Sequence, residues 1–117
     1  MPIYTDISLD RESFLEVLNK NTGVVILKFS ADWCAPCSRI KGIVDEMVML
    51  RVDNRKDVSF YFIDVDESFD LFAHLKSKKI VPGIPALLLY RTGNTSFAPD
   101  NVYIGTDTEE IKRFFDF

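Results

Sequence analysis

The chain has 117 residues, 47% apolar and 27% charged, with a formal net charge of −4. These proportions are globular rather than disordered, and at about 150 residues per domain they predict one domain spanning residues 1–117 that folds without a metal or disulfide staple. The acidic balance argues against nucleic acid and anionic membranes as partners, and no apolar run reaches the ~18 residues of a membrane span.

The N-terminal Met1-Pro2-Ile3-Tyr4-Thr5-Asp6 has no basic segment followed by an apolar one. It does not read as a secretory signal, so the cytoplasm is the expected location. Residues 3–6 read as a short edge strand. A helix follows, capped by Ser8 or Asp10, with Phe14, Val17 and Leu18 on its apolar face, and Asn21-Thr22-Gly23 ends it. Residues 24–29 (VVILKF) are almost continuously apolar, as in a strand covered on both faces. Residues 30–33 connect it to a long helix from Cys34, whose predicted stripe is Ile40, Ile43, Val44, Met47 and Leu50. Met49 reads as a core or loop filler, and residues 53–57 as a polar loop. A second central strand covers 58–65, and a helix covers 67–78 with His74 on its exposed side. A loop broken by Pro82 and Pro85 leads to a third strand over 86–90. Thr92-Gly93-Asn94 makes a hairpin turn into a returning strand at 102–104. Asp107 or Thr108 caps a last helix that turns Ile111, Phe114 and Phe115 inward. The order β-α-β-α-β-α-β-β-α gives an α/β fold. A right-handed crossover joins the parallel strands, and the hairpin adds an antiparallel edge to a mixed five-stranded sheet flanked by four helices.

The only cysteines are Cys34 and Cys37, with Ala35 and Pro36 between them. So close a pair is either redox-active or metal-binding. Structural zinc takes four ligands, and one further histidine, His74, lies on a different predicted helix. A zinc site would therefore have to be shared across a dimer, and the redox reading is preferred. Cys34 falls where a buried strand meets a helix, at its first exposed turn. Free N–H groups and the positive end of the dipole gather there, so its thiolate is favoured and its pKa falls below the ~8.5 of a free thiol. Cys37 lies one turn inward on the same face, close enough to form a disulfide and more shielded. Pro36 wastes no hydrogen bond so early in a helix.

The run Trp33-Cys34-Ala35-Pro36-Cys37 resembles the W-C-G-P-C motif of the thioredoxin family, with Ala35 for the glycine. VVILKFSADWCAPC is similar to that family's strand running into its active-site helix. Gly83-Ile84-Pro85 resembles its cis-proline stretch, Asp64-Val65-Asp66 the end of its third strand, and Ile104-Gly105 its last hairpin. The resemblance covers the whole chain in order. It implies a thioredoxin fold and a thiol–disulfide oxidoreductase that reduces protein disulfides without cofactor or metal. It implies Cys34 as the attacking thiolate and Cys37 as the resolving thiol. Trp33, Ala35, Pro36, Ile84, a cis Pro85, Ile104 and Gly105 would line a substrate groove. The Ile84 backbone would pair with an extended substrate, and Asp66 would orient the Trp33 indole and is, with Lys28, a candidate for tuning the cysteine pKa. Implied partners are disulfide-bearing proteins and an NADPH-dependent thioredoxin reductase, in electron transport for cell redox homeostasis, by a monomer. Two other readings remain. One is a thioredoxin-fold binding module with secondary redox activity. The other is a more oxidising oxidase or isomerase.

Departures from the family pattern stand beside the resemblance. Lys28 occupies a strand position where thioredoxins carry a buried aspartate. Either its ammonium reaches toward the cysteines and tunes their pKa, or its stem carries the charge to the rim. Gly42 stands where the family often has a kinking proline. Residues 96–101 lengthen the last hairpin, near the expected groove, and residues 49–57 also look long.

Overall fold

A computed structural model describes residues 3–117. The element order is β1 (Ile3–Tyr4), α1 (Arg11–Asn19), β2 (Val24–Ser30), α2 (Ala35–Arg51), β3 (Val58–Asp64), α3 (Phe69–Ser77), β4 (Ala86–Arg91), β5 (Asn101–Ile104) and α4 (Thr108–Phe114). The strands form one sheet in the order β1-β3-β2-β4-β5. β1 and β2 run parallel to β3, while β4 is antiparallel to both β2 and β5. This is the mixed five-stranded, four-helix architecture expected from the sequence.

The alternation along β2 separates two layers. Val25, Leu27 and Phe29 face α1 and α3, in one cluster with Phe14, Leu18, Leu71, Leu75, Leu88 and Tyr90. Val24 and Ile26 face α2 and α4, with Ile40, Val44, Val48, Phe60, Ile111, Phe114 and Phe115. Lys28 is next in that second series. α1 starts with a capping box: the Asp10 side chain accepts the Ser13 amide, and Ser13 Oγ accepts the Asp10 amide. Asp107 caps α4 through the Glu110 amide at 3.0 Å.

Several expectations are corrected. The buried stripe of α2 is Cys37, Ile40, Val44 and Val48, while Leu50 is 69% and Met49 70% exposed. The steps of three and four residues from Cys37 lead to Val48, and Leu50 falls outside that row. α3 is shorter than the predicted 67–78, because Asp64, Asp66 and Glu67 are held in a turn ahead of it. His74 is half-buried rather than exposed, with its ring edge-on to Phe97 at 4.5 Å.

The segment 96–101 does not lie by the cysteines. Ala86 is opposite Phe29, near the end of β2 that leads to Cys34, whereas Tyr90 is opposite Val25 at the other end. The long hairpin leaves from that far end, about 20 Å away at ~3.3 Å per residue. There the Tyr90 hydroxyl donates to the Phe97 carbonyl at 2.7 Å, and Phe97 packs near Phe14. Burial pushes the Tyr90 phenol well above its ordinary pKa, so it stays a donor. Tyr90→Phe leaves that carbonyl short of a partner. It is expected to cost about 1 kcal/mol, read as a Tm lower by about 4 °C, with disulfide exchange unchanged.

α2 runs unbroken through Gly42, which is exposed and has open space where a Cβ would stand. Gly42→Ala is expected to raise Tm by a few degrees, about 0.5–1 kcal/mol in a denaturant titration.

Candidate active site

β2, the central strand, carries the chain to one end of the sheet, and α2 begins at Ala35, just after Cys34. The Cys34 amide donates back to the Ala31 carbonyl at 3.1 Å, which turns the chain into the helix. Cys34 is extended (φ −94°, ψ 104°) and is the N-cap, with its Sγ accepting the Cys37 amide at 3.3 Å. A sulfur here takes the place usually filled by a serine or aspartate oxygen. A donor aimed at Cys34 Sγ, at the positive end of a 17-residue helix, favours negative charge on that atom once the pair is reduced. Cys34 and Cys37 are disulfide-bonded, with Cα atoms 5.3 Å apart. Pro36, in the first turn, lacks only an N–H that has no helical partner there.

The expected exposure of Cys34 is corrected: it is buried at 6% exposure, and Cys37 is only slightly more shielded at 4%. Both cysteines join the apolar cluster on the α1/α3 face with Ala31 and Ala86, and Ile84 packs against that cluster. Trp33 (68%) and Ala35 are exposed around them, and Pro36 is half-buried.

The loop before β4 contains a cis Ile84–Pro85 peptide bond, with Pro85 buried and Ile84 half-buried. Ala86 pairs with Ile104, and the Gly105 amide donates to the Pro85 carbonyl at 3.4 Å. The hairpin thus brings Ile84, Pro85, Ile104 and Gly105 together. Gly105 has φ +144°, and a Cβ on it would stand 2.7 Å from the Tyr103 hydroxyl. That hydroxyl is held by the Asp107 amide at 2.8 Å, so only glycine fits. On the other side, the Trp33 indole N–H donates to Asp66 Oδ2 at 2.9 Å. Asp66 is itself fixed, its amide donating to Asp64 Oδ1 at 2.7 Å. Asp64 is a support that the sequence reading did not single out. Its signal was available, since Asp-x-Asp at a strand end favours a side chain that folds onto the amide two residues on.

Lys28 is the only charged side chain buried among the described residues, at 5% exposure. It faces α2, with its Nζ 5.6 Å from the centre of the Phe62 ring. Every fully buried polar side-chain atom among the described residues has a partner. The ammonium instead opens into a cavity of about 500 Å³, whose lining includes Cys37, Ser38, Lys41 and Asp45. Burial lowers its pKa below the ordinary lysine value; Asp45 opposes that shift, and Lys41 adds to it. Among the described residues, no group of three or more His, Cys, Asp and Glu side chains is arranged to hold a metal ion.

The thioredoxin family model matches residues 6–116. The chain belongs to the thioredoxin family. It is 31% identical to a thioredoxin of Aspergillus fumigatus over 84 residues, covering 72% of this chain and 71% of that one. It is 36% identical to a thioredoxin of Ophiophagus hannah over 63 residues, a match spanning 56% of that protein. The structure of Trichomonas vaginalis thioredoxin superposes with a TM-score of 0.73 at 26% identity, over 98% of this chain and 96% of that one. The fold is the thioredoxin fold, and the Cys34–Cys37 pair makes the chain a thiol–disulfide oxidoreductase in class. No helix among the described residues is long and apolar enough to cross a membrane.

Lys28 carries a stability consequence with a definite sign. Its folded pKa lies below the ordinary 10.5, so between those two values the unfolded chain binds more protons and stability rises with pH. Lys28→Met is therefore expected to raise Tm at neutral pH by about 4 °C, on the order of 1 kcal/mol. The gain is complete below the folded pKa and fades as pH climbs through the ordinary lysine range. Thermal melts across pH check it, and a gain that does not vary with pH would contradict it.

Proposed function

We propose that residues 1–117 form one thioredoxin-like domain that reduces disulfides in other proteins by a two-cysteine cycle. The single observation that carries the reading is the Cys34–Cys37 disulfide at the start of α2, with an amide directed at Cys34 Sγ. Once reduced, the Cys34 thiolate attacks one sulfur of a substrate disulfide. A Cys34–substrate bond forms, the substrate S–S bond breaks, and the electron pair leaves on the departing substrate sulfur. Cys37, as thiolate, then attacks Cys34 Sγ. The internal disulfide closes and the second substrate sulfur leaves with its electron pair. Two electrons have passed to the substrate, and its thiolates take protons from solvent.

The groove in this reading is Trp33, Ala35, Pro36, Ile84, Pro85, Ile104 and Gly105. Trp33 and Ala35 are open to solvent, and Trp33 is tied by Asp66, which supports a fixed aromatic platform beside the sulfurs. An extended substrate segment would pair with the Ile84 backbone in the manner of an added strand. The reading includes an NADPH-dependent thioredoxin reductase as the electron source, a cytoplasmic location, a monomeric state and a role in electron transport. These rest on the family likeness.

Insulin reduction with dithiothreitol as the electron donor tests the cycle. Cys34→Ser is expected to abolish turnover, while Cys37→Ser is expected to stall as a covalent adduct with the substrate, visible on a non-reducing gel. Turnover that persists without Cys34 would overturn the proposal.

A further inference from the structure

We propose that Lys28 is a positioning residue for disulfide exchange: its ammonium, lodged under α2 and opening into the cavity that Cys37 lines, favours the Cys37 thiolate and makes the Cys34–Cys37 disulfide a stronger oxidant than it would be above an uncharged strand. This rests on the oxidoreductase reading and adds to it the device that sets the pair's redox poise.

Lys28 stands in the same strand that delivers the chain to Cys34. Its neighbours on that face of β2, Val24 and Ile26, are apolar and packed under α2. An apolar side chain would continue the row at no electrostatic cost, so the lysine interrupts a layer otherwise built for burial. Across the strands it meets Phe62 and Leu87, neither of which is charged.

The charged groups facing it from other elements do not cancel it. From α2 come Lys41 and Asp45, bonded to each other at 2.6 Å, a pair close to neutral when seen from the cavity. Asp32, after β2, and Asp6, after β1, also line the cavity, but both are exposed, so water and salt screen them. Lys28 is the least screened of these charges. Burial loosens its proton, and Asp45 only partly restores it.

The disulfide offers this ammonium no counter-charge. When an incoming thiolate bonds to Cys34 Sγ, the Cys34–Cys37 bond breaks and its electron pair stays on Cys37 Sγ as a thiolate. No proton has to arrive in that step. The negative charge appears on a residue that shares the cavity with Lys28, which gains the counter-ion that burial had denied it. In the reverse direction, the Cys37 thiolate attacks Cys34 Sγ and the electron pair leaves on the outgoing sulfur. Because the ammonium stabilises the state with Cys37 ionised, it shifts the equilibrium toward the reduced pair and makes the Cys37 thiol more acidic.

The test equilibrates the wild type, Lys28→Met, Lys28→Gln and Lys28→Arg with glutathione buffers and traps the thiols by alkylation. In parallel, Cys37 is titrated by thiolate ultraviolet absorbance in a Cys34→Ala background, with and without Lys28→Gln. Both uncharged variants are expected to make the disulfide about tenfold harder for glutathione to reduce, about 30 mV, and Lys28→Arg to stay near the wild type. The Cys37 titration is expected to move up by about one pH unit, and the glutathione equilibria are read at a pH above both titrations, where that unit is the same tenfold. Gln keeps a polar end in the layer, so a folding defect confined to Met leaves the test intact. Unchanged equilibria in both uncharged variants overturn the proposal, as does a changed equilibrium with an unmoved Cys37 titration. A wild type that exchanges no disulfide with glutathione would instead overturn the oxidoreductase reading.

Discussion

The Cys37 amide pointing at Cys34 Sγ is the contact on which the chemistry depends. It exists because α2 begins at that point and its first amides have no carbonyl one turn back to satisfy. A sulfur at the cap meets one of those donors and lies at the positive end of the helix in a single arrangement. The next residue on the same face, one turn on, is Cys37, so the helical repeat that creates the donor also supplies the second sulfur. The sheet keeps this junction in place. β2 is hydrogen-bonded on both sides, to β3 and β4, and Ile40, Val44 and Val48 fix α2 above it.

The two faces of the sheet are not equivalent. The α1/α3 face is apolar from Tyr90 at one end to the cysteines at the other. The α2/α4 face is apolar through Phe60, Leu87, Leu89 and Phe115 and then meets Lys28. A buried ammonium without a bonded carboxylate is a cost to folding, and the dense aromatic packing of Phe60 against Phe62 and Phe115 is the compensation nearest at hand.

Much of this was legible from residue types and spacing. The near-continuous apolar run marked β2 as a strand covered on both faces. The turn at Gly93 fixed the antiparallel edge, and Asp107 marked the start of α4. Where the reading failed, the information was tertiary. Leu50 and Val48 are equally apolar, and only the angle at which α2 lies on the sheet selects Val48. Cys34 looked exposed because a helix start normally is, yet it is buried within the apolar cluster on the α1/α3 face. The segment 96–101 looked close to the groove because it follows β4 in sequence. The antiparallel direction of β4 carries it to the opposite end of the sheet, which depends on pairing rather than composition. Lys28 showed its charge in the sequence but not its surroundings, since the cavity it opens into is built from four separate stretches of chain.

The Trp33 side of the site follows from the same economy of short connections. An exposed indole is ordinarily free to rotate, and a mobile ring would lose entropy on meeting a substrate. Here its N–H is held by Asp66, whose own backbone is pinned by the Asp64 side chain at the end of β3. The ring is therefore referenced to the strand beside β2, the same strand that positions Cys34. On the opposite side, Gly105 bonds back to Pro85 at the start of β4, the other neighbour of β2. Both walls beside the cysteines are thus anchored to strands that flank β2. Their separation is set by the hydrogen-bonded spacing of the sheet rather than by loop flexibility, which is the preorganisation that the proposed groove calls for.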